Sequence, residues 1–150
     1  MSPFTRAALR AEEDQVRKEP LPPLEWQQFK RLDPGAEVLI LFGRGSKQHF
    51  CDAAHCWLTV LHYGFRDSPL SDTAAFFAEF LDDEHTVCKE ISCEEFRRIV
   101  QWYDFVATPH NFSPHEQVGQ AWLVYDIGIN IVTLAETSEE FVVFSWELHD

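Results

Sequence analysis

The chain has 150 residues, and 12 Lys and Arg against 25 Asp and Glu give it a formal net charge of −13 at pH 7. Its apolar residues make up 45% and include 13 Phe, enough to fill a core, which excludes a disordered acidic tail. The acidic balance also excludes the ordinary basic kind of nucleic-acid-binding domain, because neutralising phosphates requires clustered Lys and Arg. The length suits one domain, which is predicted to span residues 1–150.

The N-terminal residues predict a helical arm and no targeting segment. Thr5 can cap a helix that runs to about Lys18, and its few apolar positions make it weakly amphipathic. Residues 1–20 are therefore expected to form a semi-independent arm that packs only in part. Arg10 and Glu12 interrupt the apolar stretch that a signal peptide needs, and no apolar run approaches the length of a membrane helix. We expect a soluble cytoplasmic protein with reduced cysteines and no membrane contact.

The next segments predict helices on either side of a short strand. Pro23 suits the first turn of a short helix over residues 23–32. Residues 38–42 are a continuous apolar run of the buried-strand kind, and a glycine-containing turn at 43–46 is predicted to end it. In residues 48–63 apolar side chains recur every three or four positions, which favours a helix, although a strand in the second half is also consistent. A further helix is predicted to begin at Ser71.

The second half of the chain predicts a capped helix followed by a meander. Ser92 and Glu95 form a capping box, and the apolar positions after it recur at helical spacing up to Val106. Three later segments are rich in β-branched and aromatic residues, which predicts antiparallel strands near residues 122–127, 129–135 and 141–148. The predicted fold class is α+β, with N-terminal helices packed on this C-terminal meander and the strand at 38–42 able to join the sheet.

Four cysteines occur as two pairs with four-residue spacers, Cys51 with Cys56 and Cys88 with Cys93, and His55 adjoins the first pair. Thiolate and imidazole are zinc ligands, so the candidate metal ligands are Cys51, His55, Cys88 and Cys93, although structural zinc sites usually have tighter spacers. The simpler interpretation is that these thiols are small buried hydrophobic groups. We therefore predict no metal and no other cofactor.

Two further segments have the composition of a site without its spacing. The stretch Gly43-Arg44-Gly45-Ser46-Lys47 follows a strand, but position 48 is Gln where a dinucleotide-binding loop requires a third glycine. The polar loop at 108–116 contains His110, His115 and Glu116, whose side chains are able to bind a metal or a partner, and Ser113, which has the side chain of a nucleophile. Neither segment fixes a nucleophile, a base and an orienting group, so no catalytic residues are predicted.

The net charge lies almost entirely in residues 51–150, which hold 4 Lys and Arg against 18 Asp and Glu. The acidic residues cluster at predicted helix ends and at a predicted hairpin loop, often beside aromatic residues. An unpaired carboxylate is costly to bury, so these clusters are expected to face solvent or a basic partner. The predicted partner-binding residues are Asp82, Asp83, Glu84, Glu94, Glu95, Trp102, Asp104, Glu136, Glu139, Glu140 and Trp146.

Small acidic proteins without an evident active site include the inhibitors with which bacteria neutralise their own toxic enzymes. The chain resembles bacterial immunity proteins and antitoxins in size, charge and α+β composition, which is a similarity of class with no shared motif. We therefore predict a non-enzymatic, stoichiometric inhibitor that binds a basic toxin and occludes its active site. Two alternatives stay open: a phage or plasmid anti-defence protein that mimics nucleic acid, and a small metal- or thiol-dependent enzyme.

Overall fold

A computed structural model describes residues 4–20, 22–33, 36–65, 75, 78–104 and 118–149, and the structural statements below refer to these residues. A short helical segment covers residues 78–82. The other elements in chain order are α1 (Arg6–Lys18), β1 (Glu25–Asp33), β2 (Ala36–Ser46), α2 (Ala53–Phe65), β3 (Thr86–Ile91), α3 (Cys93–Asp104), β4 (Gln120–Asp126), β5 (Asn130–Glu136) and β6 (Glu140–His149). The predicted α+β class is confirmed. Within the described ranges, no helix combines the length and the apolar composition needed to cross a bilayer.

These six strands form one antiparallel sheet in the order β1-β2-β6-β5-β4-β3. The predicted C-terminal meander is confirmed as β4, β5 and β6, which pair in sequence. The strand predicted at 38–42 does join it, because β2 pairs with β6 and Phe42 lies opposite Phe144. The sheet therefore has β1 at one edge and β3 at the other.

β2 does not stop at the glycine-containing turn predicted at 43–46. These residues continue the ladder with β6 as far as Ser46, which lies opposite Glu140. A Cβ atom added at Gly45 would lie only 2.6 Å from Cδ2 of Phe50, so a glycine is needed for packing. The glycines thus belong to a strand interior, and a phosphate-binding loop is excluded at this position.

The helix predicted over residues 23–32 is wrong, because this segment forms β1. It pairs with β2 along its whole length, from Glu25 opposite Arg44 to Asp33 opposite Ala36. Without it, the outer edge of β2 would present a long row of unpaired backbone groups, which a neighbouring strand satisfies and a helix cannot. This tertiary requirement overrides the local spacing of apolar residues.

One face of the sheet is covered by α1 and α2. The helix predicted over residues 48–63 is confirmed as α2, which begins at Ala53. Its apolar side chains share one cluster with those of α1 and of the sheet. Members of this cluster are Phe4, Leu9, Val16, Phe50, Trp57, Leu58, Trp122, Val124, Leu134, Phe141 and Val143.

α1 is fixed to this face, whereas the sequence predicted a loosely packed arm. Thr5 caps the helix as predicted, since its Oγ1 accepts a hydrogen bond from a first-turn N–H at 3.1 Å, and Leu9 is fully buried. Arg6 donates to the backbone carbonyls of Thr86 and Asp83, at 2.6 Å in each case. The prediction of loose packing is wrong because local amphipathicity does not reveal hydrogen bonds to carbonyls about 80 positions away.

α3 covers the opposite face of the sheet. The predicted cap is confirmed, because the Glu95 N–H donates to Ser92 Oγ at 3.0 Å. Phe96 and Val100 are buried in a second cluster, which also contains Val38, Ile40, Phe42, Ala121, Ala135, Val142 and Phe144. β6 therefore contributes buried side chains to both faces of the sheet.

Candidate functional site

The acidic cluster at the β5–β6 hairpin is largely neutralised within the chain. Glu140 Oε1 accepts from Arg44 Nη1 at 3.0 Å, and these side chains are 15% and 13% exposed. Glu136 pairs with Lys47 at 2.9 Å, with side chains 21% and 33% exposed. The expectation that this whole cluster faces solvent or a partner is wrong for these two glutamates, because β2 and the turn after it bring cations beside them. Glu139 is exposed, and its carboxylate has no ion pair among the described residues.

The same end of the sheet holds an open groove of about 600 Å³. Its lining residues are Glu25, Arg44, Ser46, Lys47, Gln48, Ser138, Glu139 and Glu140. Arg44 and Lys47 are both held by carboxylates, so this part of the described structure is of mixed charge. The groove therefore lacks the free cations with which a phosphate site would be built.

The acidic turn before β3 contains one structural carboxylate and two exposed ones. Asp83 accepts hydrogen bonds from the His85 N–H at 2.8 Å and from the Tyr125 hydroxyl at 3.4 Å. The His85 N–H, and then the imidazole and the phenol, lower the pKa of Asp83. Asp82 forms a surface ion pair with an arginine of α1. Glu84 is 87% exposed, so its carboxylate is the most available one of the turn.

The predicted residues around α3 and at the end of β6 differ in accessibility. Glu94 and Glu95 lie in the first turn of α3, where negative charge stabilises the helix dipole. Trp146 is half-buried against the cluster on the α3 side, so it is not an exposed anchor. The following lie outside the described residues: the side chains of Trp102 and Asp104, and the polar loop at 108–116 with His110, Ser113 and His115. Contact of any of these with a partner stays a prediction.

Three large apolar side chains are exposed in the described part of the chain, and all of them lie at one end of the sheet. Val87 is in β3, and Ile127 and Ile129 flank the tip of the β4–β5 hairpin; they are 45%, 38% and 53% exposed. The Asp126 N–H donates to the His85 carbonyl at 3.2 Å, which ties this hairpin to the acidic turn. We define the hairpin surface as Val87, Ile127 and Ile129 together with Asp82 and Glu84. Sequence reasoning missed its apolar part, because single Val and Ile residues in strand-forming segments carry no signal of exposure.

The four candidate zinc ligands do not come together. Cys88 packs on the α1–α2 side of the sheet, whereas Cys93 packs on the α3 side and donates its thiol proton to the Val118 carbonyl at 3.1 Å. Cys88 is half-buried, and this partial burial raises the pKa of its thiol to about 11. Cys51 and His55 do meet, with Sγ 3.6 Å from Nδ1.

Two carboxylates adjoin this cysteine–histidine pair where α1 contacts α2. Ligand atoms of Glu12, Cys51 and Asp52 all lie within 4.8 Å of one another. Asp52 Oδ1 also accepts the His55 N–H at 2.8 Å at the start of α2. Burial and the adjacent Asp52 carboxylate raise the pKa of Glu12 to about 7. Partial desolvation and the two acidic neighbours also raise the pKa of the exposed Cys51 thiol, which is the opposite of what an activated nucleophile requires.

Comparison with known proteins assigns this chain to no group. No protein family, curated protein or solved structure matches it. Its function is therefore argued from two features of the molecule itself, the hairpin surface and the side-chain cluster between α1 and α2.

Proposed function

We propose that this protein is a stoichiometric inhibitor of the immunity or antitoxin kind, which binds one basic protein through the hairpin surface. The observation that supports this most is the position of Val87, Ile127 and Ile129, which are exposed at one end of the sheet beside an acidic turn. Protein interfaces combine an apolar centre with a polar rim. Short aliphatic side chains on strands and a tight hairpin also lose little conformational entropy on binding.

The charge of the chain favours a basic partner. A formal net charge of −13 attracts cationic proteins, and Glu84 places an exposed carboxylate next to the apolar side chains. Such complementarity speeds association and disfavours acidic partners. A basic nuclease or another basic toxic enzyme is therefore the proposed class of partner, and occlusion of its active site is the proposed mode of inhibition.

The opposite end of the sheet is less suited to this role. Glu136 and Glu140 are used in ion pairs with Lys47 and Arg44, so their charges are not available to a partner without breaking the fold. The same pairing weighs against nucleic-acid mimicry, because a phosphate mimic needs a regular row of exposed carboxylates. Glu139 remains exposed at this end and provides a matched control position.

Affinity capture from the native cell with three baits tests the proposal. The baits are the natural chain, a hairpin-surface variant with Ile127→Ser, Ile129→Ser and Glu84→Lys, and a control with Glu139→Lys. We expect a basic protein to be held in a one-to-one complex by the natural chain and the control, and to be lost from the hairpin-surface variant. Both variants change the net charge equally, so their difference reports position rather than charge. The purified partner should lose its enzymatic activity when one equivalent of the inhibitor is added.

Three outcomes would contradict the proposal. Capture by the hairpin-surface variant at the natural level would place the interface elsewhere. Loss of capture in both variants would show that net charge alone controls binding. A captured partner that is acidic, or that stays fully active in the saturated complex, would refute the inhibitor function even if the hairpin surface proved to be the contact.

A further inference from the structure

We propose that Glu12, Cys51, Asp52 and His55 form a zinc site where α1 meets α2. This inference is independent of the inhibitor function and of the hairpin surface. Glu12 lies in the middle of α1, Cys51 and Asp52 immediately precede α2, and His55 is in its first turn. Together the four residues offer one sulfur, one imidazole nitrogen and two carboxylate groups, all of which are zinc ligands.

The distance between the sulfur and nitrogen ligands matches that of a zinc tetrahedron. Zinc bonds of about 2.3 Å to sulfur and about 2.0 Å to nitrogen place two tetrahedral ligand atoms about 3.5 Å apart. Cys51 Sγ and His55 Nδ1 are 3.6 Å apart. The Glu12 and Asp52 oxygens lie within 4.8 Å of Sγ and of each other, and the His55 ring is not part of that group. Zinc binding would therefore draw the two carboxylates and the imidazole closer together around Sγ.

The histidine presents the correct atom for ligation. The backbone N–H of Cys51 donates to His55 Nδ1 from 3.5 Å, so the lone pair of Nδ1 faces Cys51. A contact of this length is at the outer limit of a hydrogen bond and is readily replaced by a stronger ligand. The ring also packs edge-on against Phe50, with centroids 5.2 Å apart, which fixes its orientation.

Charge explains why a cation belongs here. Two carboxylates and a thiol share the cluster, and no Lys or Arg forms an ion pair with Glu12 or Asp52 in the described part of the chain. When ionised, these groups repel one another, and a divalent cation converts that repulsion into attraction. Sulfur and imidazole ligands select zinc over calcium and magnesium, which prefer oxygen alone.

The ligand set points to a structural ion. Four protein ligands close a tetrahedral site, whereas catalytic zinc keeps one position for water. The ion would join the middle of α1 to the start of α2, in addition to the apolar packing of Leu9 and Val16. Cys51 is exposed, so the ion reaches the site from solvent without opening of the core.

Titration of the metal-free full-length chain with Zn²⁺ and with Co²⁺ tests the site. We expect one equivalent of Zn²⁺ to bind and to raise the midpoint of thermal unfolding, and Co²⁺ to give the absorption of a thiolate-bound tetrahedral ion. Cys51→Ser should remove that absorption, and Glu12→Gln should weaken binding at least about tenfold, because even changes outside the ligand set cost about 10- to 100-fold. Cys93→Ser is the matched control, since serine can keep the hydrogen bond to the Val118 carbonyl.

Three results would overturn the site. Binding of less than half an equivalent of Zn²⁺ by the natural chain would show that the cluster does not hold the ion. A Co²⁺ spectrum without thiolate character would exclude Cys51 in a measurement that requires no variant to fold. Equal affinities of Cys51→Ser and Cys93→Ser would show that the ion binds elsewhere on the acidic surface.

Discussion

Replacing Glu140 with Gln is expected to destabilise the fold far more than the same change at its neighbour Glu139. The Glu140 carboxylate lies 3.0 Å from Arg44 Nη1, and the two side chains are 15% and 13% exposed. Breaking a fully buried ion pair costs about 3–5 kcal/mol, whereas an exposed pair contributes at most about 1 kcal/mol. Because the pair is not fully buried, we expect Glu140→Gln to lower the free energy of unfolding by about 2–3 kcal/mol. Glu139→Gln should lower it by at most about 0.5 kcal/mol.

Urea unfolding at pH 7, followed by tryptophan fluorescence, measures this difference in the free energy of unfolding. Each variant removes one negative charge from the same hairpin, so the contrast isolates the ion pair. The double variant Arg44→Met with Glu140→Leu should recover most of the loss, because it leaves no buried charge without a partner. If Glu140→Gln and Glu139→Gln agree within about 0.5 kcal/mol, the reasoning is refuted and Glu140 belongs with the free surface carboxylates.

Three further changes have expected outcomes. Because the pKa of Glu12 is raised from 4.5 to about 7, the folded chain binds more protons than the unfolded chain between these values, so its stability falls as pH rises through them. Glu12→Gln should reduce the total loss of stability between pH 4 and 8 by about 1 kcal/mol after solvent screening, as measured by urea unfolding in the presence of a chelator. An unchanged loss of stability would contradict the raised pKa of Glu12. Gly45→Ala should lower the free energy of unfolding, measured with urea, by about 1–3 kcal/mol, because the added methyl group collides with Phe50. An unchanged free energy of unfolding would contradict the close approach of Gly45 to Phe50. Arg6→Met removes hydrogen bonds to three backbone carbonyls and should lower the free energy of unfolding by about 2 kcal/mol, with faster amide exchange in β3. Unchanged exchange in β3 would show that Arg6 does not stabilise that strand.

Local signals predicted much of the fold. The capping box at Ser92 and Glu95 located the start of α3, and segments rich in β-branched and aromatic residues located the meander. These signals predict structure correctly because a helix cap and a strand-forming composition both depend on residues that are close together in the sequence. The prediction of a helix over residues 23–32 is wrong because pairing with β2 makes this segment a strand. No pattern within residues 23–32 encodes that pairing.

The candidate sites depend on contacts between distant parts of the chain, which explains why the sequence revealed them only in part. Arg44 and Glu140 are 96 positions apart, so their neutralisation could not be seen from charge clusters. The sequence predicts Cys51 and His55 as candidate metal ligands because a thiol and an imidazole lie close together along the chain. Glu12 is not predicted as a ligand, because only the packing of α1 on α2 brings its carboxylate close to Cys51 and Asp52.

Hydrogen exchange of the purified one-to-one complex tests the central claim most directly, because it reports the interface without altering the chain. We expect slowed amide exchange in the acidic turn and first residues of β3, around Glu84 and Val87, and in the hairpin from Ile127 to Ile129. The opposite end of the sheet, around Ser138 and Glu139, should exchange as in the free protein. Protection confined to that opposite end, with the hairpin surface unchanged, would contradict the account.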